Sequence, residues 1–365
     1  MNVVIVNRHV DDVLGGSEMQ CDNIASELFE RGYSVTYVAP AGDINKNYNR
    51  KYSVIPTQSN SRAISQAIIG QNPDVVYWRL NKHHFYGVAK TLNNKKIPII
   101  FAVSHIDDTR KYNYLSSPKQ SYKEALKAIK QALTSRLNYL GFKYVSAVTY
   151  LNESYLGSLP VEFESFVPNS VSEVAEEFFW HRPFILWVAN IKKAKRPELF
   201  LQLAEKLRDE NVDFLMVGAM MSKLYSWLED EKEMENFKYL GPRSVAQVNG
   251  MLRSALMLVH TCEPEGFGNN FIQAWLAGKP TVSLGFDPGG YIEKYHLGGV
   301  AHDNADLFTK QVRDLIRDAN LRSSIGQQAR VFASSHFSIA NTADGVVAVI
   351  DKVVSKNKLI DRVDS

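Results

Sequence analysis

The feature that most limits how this chain can fold is a cadence: short apolar runs alternate with longer amphipathic stretches along its whole length. Runs of this kind, bounded by Gly, Pro, Asn and Asp, read as strands buried on both faces. Amphipathic stretches between them read as crossover helices, so the pattern specifies βα units and parallel sheet. A first series places strands at 3–6, 35–38, 75–78, 97–103 and 144–148, with helices over 17–31 and 119–139. In the helix over 17–31, Ile24, Leu28 and Phe29 fall on one face, and Gly32 suits the position after its last turn. A second series follows Pro168-Asn169-Ser170, with strands at 184–188, 214–217, 256–259 and 281–284. Its helices are expected over 197–209, 245–254 and 269–277, with closing helices over 305–317, 321–335 and 342–354. Each series can close its own core, and 365 residues suit two domains. The expected division is 1–172 and 173–339, with a helix within 340–365 packing back on the first domain.

Composition excludes several alternatives. With 45% hydrophobic and 22% charged residues, the chain is neither a disordered polymer nor a disulfide scaffold. Its two cysteines, Cys21 and Cys262, have no metal-ligand spacing and suit a reducing compartment. No apolar run approaches a membrane span, and residues 1–8 read as a first strand rather than a leader. The expected location is the cytoplasm. Net charge is +3, but 110–143 holds eight basic residues against one acid, Glu124.

Three loops carry potential chemistry. Gly15-Gly16-Ser17-Glu18 follows the first strand and opens a helix, where unpaired N–H groups suit a phosphate and Ser17 is a good N-cap. Taken alone, that loop reads first as a turn and cap without a ligand. Asn190-Ile191-Lys192-Lys193-Ala194-Lys195-Arg196-Pro197 puts four cations at the mouth of a sheet, where they suit a diphosphate or simply face solvent. Glu263-Pro264-Glu265-Gly266-Phe267-Gly268-Asn269-Asn270 is the strongest signal. Its glycines expose backbone donors, Glu265 can accept from sugar hydroxyls, and Asn269 or Asn270 is expected to cap the next helix. No Asp-x-Asp triplet or His/carboxylate cluster occurs at metal spacing, so neither a metal nor another cofactor is expected.

Taken in order, the glycine loop, Pro168-Asn169, the strand–Lys195 loop and the Glu-Gly-Phe-Gly turn resemble the family-4 retaining glycosyltransferases of the GT-B fold. The resemblance spans nearly the whole chain. It implies two Rossmann-like parallel-sheet domains facing a central cleft, the first on the acceptor side and the second binding a nucleotide diphosphate sugar. It places Gly15 and Gly16 near the diphosphate and acceptor, and His105 beside the transferred sugar. Lys195 would neutralise the departing diphosphate. Glu265 would contact the donor sugar, and the backbone of Gly266, Phe267 and Gly268 would line the same pocket as Asn269 and Asn270. Without the resemblance, His105 reads as an ordinary structural histidine. Two positions depart from the family pattern. Gln273 stands where a second Glu holds the ribose, and Asn190 where an Arg faces the diphosphate, with Lys192, Lys193 or Arg196 able to replace that cation.

The implied reaction is metal-independent transfer with retention, from a UDP- or GDP-linked donor to a glycan or lipid-linked glycan, in bacterial surface polysaccharide synthesis. A catalytically silent scaffold is the alternative that Gln273 and Asn190 raise, and a nucleotide-sugar epimerase of related architecture is a third. Within 110–143, Lys119, Lys123, Lys127 and Lys130 form one helical stripe beside Tyr122, Leu126, Ile129, Leu133 and Leu137. The plain reading is a helix packed on its Leu/Ile side with a solvated Lys face. The other is peripheral contact with the inner face of the plasma membrane. Nucleic-acid binding fits less well, since no recognised motif or aromatic platform is present.

Overall fold

The computed structural model describes residues 1–363 apart from 14, 113–121, 231–233 and 263–266. The chain divides into two compact units, 1–169 with 339–365, and 170–338. The division falls at 169/170 and 338/339, a few residues earlier than the sequence suggests.

Unit 1 runs β1 (Asn2–Val6), α1 (Gly16–Glu30), β2 (Ser34–Pro40), β3 (Ser53–Thr57), α2 (Ser61–Ile69), β4 (Val75–Trp78), α3 (Phe85–Asn93) and β5 (Ile99–Val103). It continues through α4 (Tyr122–Tyr139), β6 (Ala147–Tyr150) and β7 (Glu164–Phe166). Its strands form one parallel sheet in the order β3-β2-β1-β4-β5-β6-β7. Alternation sorts the core: Val3 and Ile5 join Ile24 and Leu28 on one face, whereas Val4 and Val6 join Ile64, Ile68 and Val88 on the other.

Unit 2 runs β8 (Phe184–Val188), α5 (Pro197–Lys206), β9 (Asp213–Val217), α6 (Trp227–Asp230), β10 (Phe237–Tyr239), α7 (Val245–Ser254), β11 (Leu258–His260) and α8 (Asn269–Leu276). Then come β12 (Thr281–Ser283), α9 (Tyr291–Lys294), β13 (Gly298–Val300), α10 (Ala305–Arg317) and α11 (Ala319–His336). The order is β10-β9-β8-β11-β12-β13, again parallel. The last helix, α12 (Ile339–Val363), belongs to unit 1, where Val346, Ile350 and Val353 enter the core beside α1.

Both sheets are the doubly wound type that the cadence implies, and each reverses strand order once, between β1 and β4 and between β8 and β11. Ligands of such sheets bind beyond the carboxyl ends of the strands at that reversal.

Several local expectations need correction. Strands β3, β7, β10 and β13 lack an apolar run because they are short or lie toward sheet edges, with β3 and β7 only partly buried. In β13, a Cβ at Gly298 would sit 1.8 Å from the Thr281 carbonyl oxygen, so glycine there permits the pairing with β12. Helix α1 buries Gln20, Cys21, Ile24, Ala25 and Leu28 and leaves Phe29 exposed. Gly32, at φ 84°, ends it as expected: its N–H donates to Phe29 O and that of Tyr33 to Leu28 O. The plain reading of α4 holds for its solvated lysines, Lys123, Lys127 and Lys130, but not for the side on which it packs. Its buried side is Ala128, Ala132, Ser135 and Asn138, and its leucines face outward. Lys119 lies outside the described residues.

Candidate functional site

In unit 2, the reversal point brings two of the three candidate loops together. β8 delivers the chain to 189–196, and β11 delivers it to Thr261 and Cys262. The Thr261 hydroxyl donates to the Lys195 carbonyl at 2.9 Å and accepts from the Trp187 indole N–H at 2.9 Å. Asn270 Nδ2 donates to the Val188 carbonyl at 2.9 Å, which ties the first turn of α8 to the end of β8. Lys195 is half-buried at the end of a single 3₁₀ turn, Lys193–Lys195, directly before α5. Asn190, Lys192 and Lys193 are exposed.

Arg196, one of the cations that could stand in at the diphosphate, is engaged within the protein. It occupies a left-handed conformation (φ 47°, ψ 52°), and its guanidinium donates to Thr261 O at 2.6 Å and Cys262 O at 3.2 Å while pairing with Asp303 at 3.0 Å. It fastens one loop to the other. Gly218 makes the arrangement possible, because a Cβ there would fall 1.8 Å from the Ala189 carbonyl oxygen.

Helix α8 is capped by Gly268 (φ 84°) rather than by Asn269 or Asn270. Phe267 is buried among Trp275, Tyr291 and Phe337, so its side chain anchors the turn while its backbone stays at the helix start. Glu265 and Gly266 lie outside the described residues.

Gln273 sits on α8 beside a cavity of about 320 Å³ whose lining includes Ser172, Asn249, Arg253 and Arg330. Its amide is already engaged: Nε2 donates to Asn249 Oδ1 at 2.8 Å. Asn249 in turn donates to the carbonyls of Ser172 and Val174 at 2.7 and 2.8 Å. These two bonds fix which way the Asn249 amide faces, so its oxygen meets residue 273 and calls for a donor there. A glutamate at 273 would have none to offer.

Unit 1 holds a second polar cluster at the ends of β1, β4 and β5. Gly15 caps α1 in extended conformation, and Ser17 is not the cap. Ser17 Oγ instead accepts from Asn7 Nδ2 at 3.0 Å and lies 3.3 Å from Ser104 Oγ. Gly16 is exposed. His105 is exposed, and its Nδ1 accepts the Asp107 N–H at 3.2 Å. Beneath it, Asp108 Oδ2 accepts the N–H groups of Ser104 and His105, both at 3.1 Å, and thereby fixes the turn that carries the imidazole. Burial pushes the Asp108 carboxyl above its ordinary pKa, opposed by those two bonds.

The residue that sequence reasoning missed is Arg79. It is 3% exposed, directly after β4, and donates to Asn169 Oδ1 at 2.8 Å and to Ser104 Oγ at 3.3 Å. The detectable signal was a charged residue ending a wholly apolar strand. Burial raises the Glu18 carboxyl pKa, while Arg8 and Arg79 pull it back. Among the described residues no group of three His, Cys, Asp or Glu side chains is placed to hold a metal ion. None of the described helices is long and apolar enough to cross a membrane.

Comparison with known proteins agrees with this architecture. Residues 173–332 match the family model described as "Glycosyl transferases group 1". Spore coat protein SA of Bacillus subtilis (strain 168) is 23% identical over 198 residues, covering 49% of this chain and 52% of that protein. The chain thus spans about half the length of that curated relative. Sucrose-phosphate synthase from Thermosynechococcus elongatus superposes with a TM-score of 0.79 at 12% identity, covering 98% of this chain and 100% of that one. Staphylococcus aureus TarM, solved as a point mutant in complex with fondaparinux, α-GlcNAc-glycerol and UDP, gives 0.73 at 12% identity, covering 96% and 99%. The fold is GT-B.

Proposed function

We propose that this chain, whose residues 173–332 match the group 1 glycosyl transferases, moves a sugar from a UDP- or GDP-linked donor to a glycan or lipid-linked glycan. The observation that carries the reading is the joining, at the reversal point of the unit 2 sheet, of the Lys195 loop to the end of β11 through Thr261 and of the end of β8 to α8 through Asn270. That is where a parallel sheet presents a ligand site.

In this reading the Lys195 ammonium meets the charge that develops on the departing diphosphate. A preplaced cation lowers the barrier because it needs no reorganisation during the reaction. Glu265 holds the donor sugar, and the amides around Gly266, Phe267 and Gly268, with Asn269, line its pocket. Gln273 offers the ribose a neutral oxygen, with one of its two N–H donors engaged by Asn249. The Gly15-Gly16 loop and His105 serve the acceptor and the transferred sugar. Retention follows if the leaving phosphate takes the proton of the attacking hydroxyl on the same face. No step is assigned to a metal. The UDP in the TarM complex supports the donor class, and a role in surface polysaccharide synthesis is part of the same reading.

Thermal shift of the purified chain against UDP-, GDP- and dTDP-sugars tests the reading. Stabilisation by UDP- or GDP-sugars, with nucleotide released only when an acceptor is present, supports transfer and argues against an epimerase. A silent scaffold is the second reading, motivated by the commitment of Gln273 to Asn249 and of Arg196 to Thr261. Lack of stabilisation by any nucleotide sugar would select it.

A further inference from the structure

The cavity of about 320 Å³ beside Gln273 is lined from unit 2 alone, and two close backbone approaches bring its walls together. On α7, a Cβ at Gly250 would fall 1.8 Å from the Glu176 carbonyl oxygen, so glycine there lets the segment 172–176 lie against the helix. Arg253, one turn later, meets the same segment, and its Nη2 donates to the Glu173 carbonyl at 2.7 Å. On α11, a Cβ at Gly326 would fall 2.1 Å from the Gly278 carbonyl oxygen. Arg330 follows four residues on, with its stem packed beside the Gly278 turn. Glycine inside a helix is unfavourable relative to alanine, and in both helices it sets an arginine at this cavity.

The groups around that space retain much of their hydrogen-bonding capacity. Arg253 and Arg330 are both exposed, and Arg330 has neither a hydrogen bond nor an ion pair among the described residues. Gln273 keeps its carbonyl and one N–H, since Asn249 takes the other. Glu173 is the acid of the lining, so two guanidinium groups face one carboxylate. That balance favours an anion, and guanidinium groups suit phosphate oxygens in particular. The Gln273 carbonyl and the Glu173 carboxylate accept from hydroxyls. The volume lies at the lower end of the range for small-molecule sites, about 300–1,000 Å³, which suits a monosaccharide-sized molecule. We propose that this cavity binds a small phosphate monoester bearing hydroxyl groups, its phosphate held by Arg253 and Arg330 and its hydroxyls by Gln273 and Glu173. Lys195 is not among the lining residues, so the site goes beyond the transferase reading and does not depend on it.

Isothermal titration of the full chain with ribose 5-phosphate tests the site, with inorganic phosphate and ribose as the two halves of the probe. Ribose 5-phosphate should bind more tightly than either. Arg330→Gln has no internal partner to lose, so it should leave the melting temperature unchanged while weakening ribose 5-phosphate by about 10- to 100-fold, the effect of losing hydrogen bonds to a charged group. Arg253→Gln should weaken it by a similar factor. Lys195→Ala should leave the affinity as it is. Absence of ribose 5-phosphate binding, or affinity unaffected by Arg330→Gln, would overturn the proposal. So would loss of binding in Lys195→Ala, because the phosphate would then sit at the loop assigned to the donor diphosphate.

Discussion

Thr261 and Lys195 stand 66 positions apart, yet the hydroxyl of one donates to the carbonyl of the other at 2.9 Å. The same hydroxyl accepts from Trp187, so a wholly buried side chain uses its donor and an acceptor at once. The basic loop is thereby set by β11 as well as by the strand that leads into it.

Thr261→Val keeps the shape and removes both bonds, leaving the Lys195 carbonyl and the Trp187 N–H without this partner. Stability in urea should fall by about 2–4 kcal/mol, the cost of two buried groups left unsatisfied. Affinity for the donor nucleotide sugar should fall with it. Unchanged unfolding midpoints would mean that the two loops are held by other contacts.

Lys195→Ala tests charge rather than shape. The side chain is half-buried on a surface loop, so the melting temperature should move little. Transfer should fall by about 100-fold or more, the loss seen when a fixed electrostatic stabiliser is removed. Near-normal turnover by a folded variant would refute the assigned role.

Gln273→Glu restores the family residue but places a carboxylate against Asn249 Oδ1. Asn249 can turn its amide only by giving up its bonds to Ser172 and Val174. The single substitution should destabilise by about 1–3 kcal/mol. If Gln273 touches the ribose, the same variant should also change the donor dissociation constant, which isothermal titration would resolve.

Glu18 provides a pH dependence. Burial raises its folded pKa above the ordinary 4.5, with Arg8 and Arg79 in partial opposition. A carboxyl raised on folding favours the folded state while protonated, and that contribution is lost as pH rises through the folded pKa. Glu18→Gln should therefore gain stability relative to the parent as pH climbs from about 4.5 towards neutrality. A gap between their urea midpoints that stays constant with pH would show that ionisation of Glu18 is not what burial opposes.

Much of the fold was legible before any coordinates, for a local reason. The runs that became β1, β4, β8 and β9 are apolar on every residue or nearly so, which only a strand covered on both faces tolerates. Gly32 and Pro197 mark helix boundaries through the φ values they supply. The candidate loops were equally readable, because glycines and cations directly after apolar strands must lie at the strand ends.

What the sequence determined by itself is the pair of doubly wound sheets and the loops that crown them, since both follow from periodicity within short windows. Tertiary structure alone decided which groups remain available. Arg196 is drawn to Thr261 and Asp303, one N–H of Gln273 is engaged by Asn249, and Arg79 is buried under Ser104 and Asn169. It also turned the leucines of α4 outward, because Lys82 and Tyr86 engage the polar side of that helix. These outcomes join residues far apart in the chain, and hydrogen-bond partnership at that separation depends on how the elements pack, which no local pattern encodes.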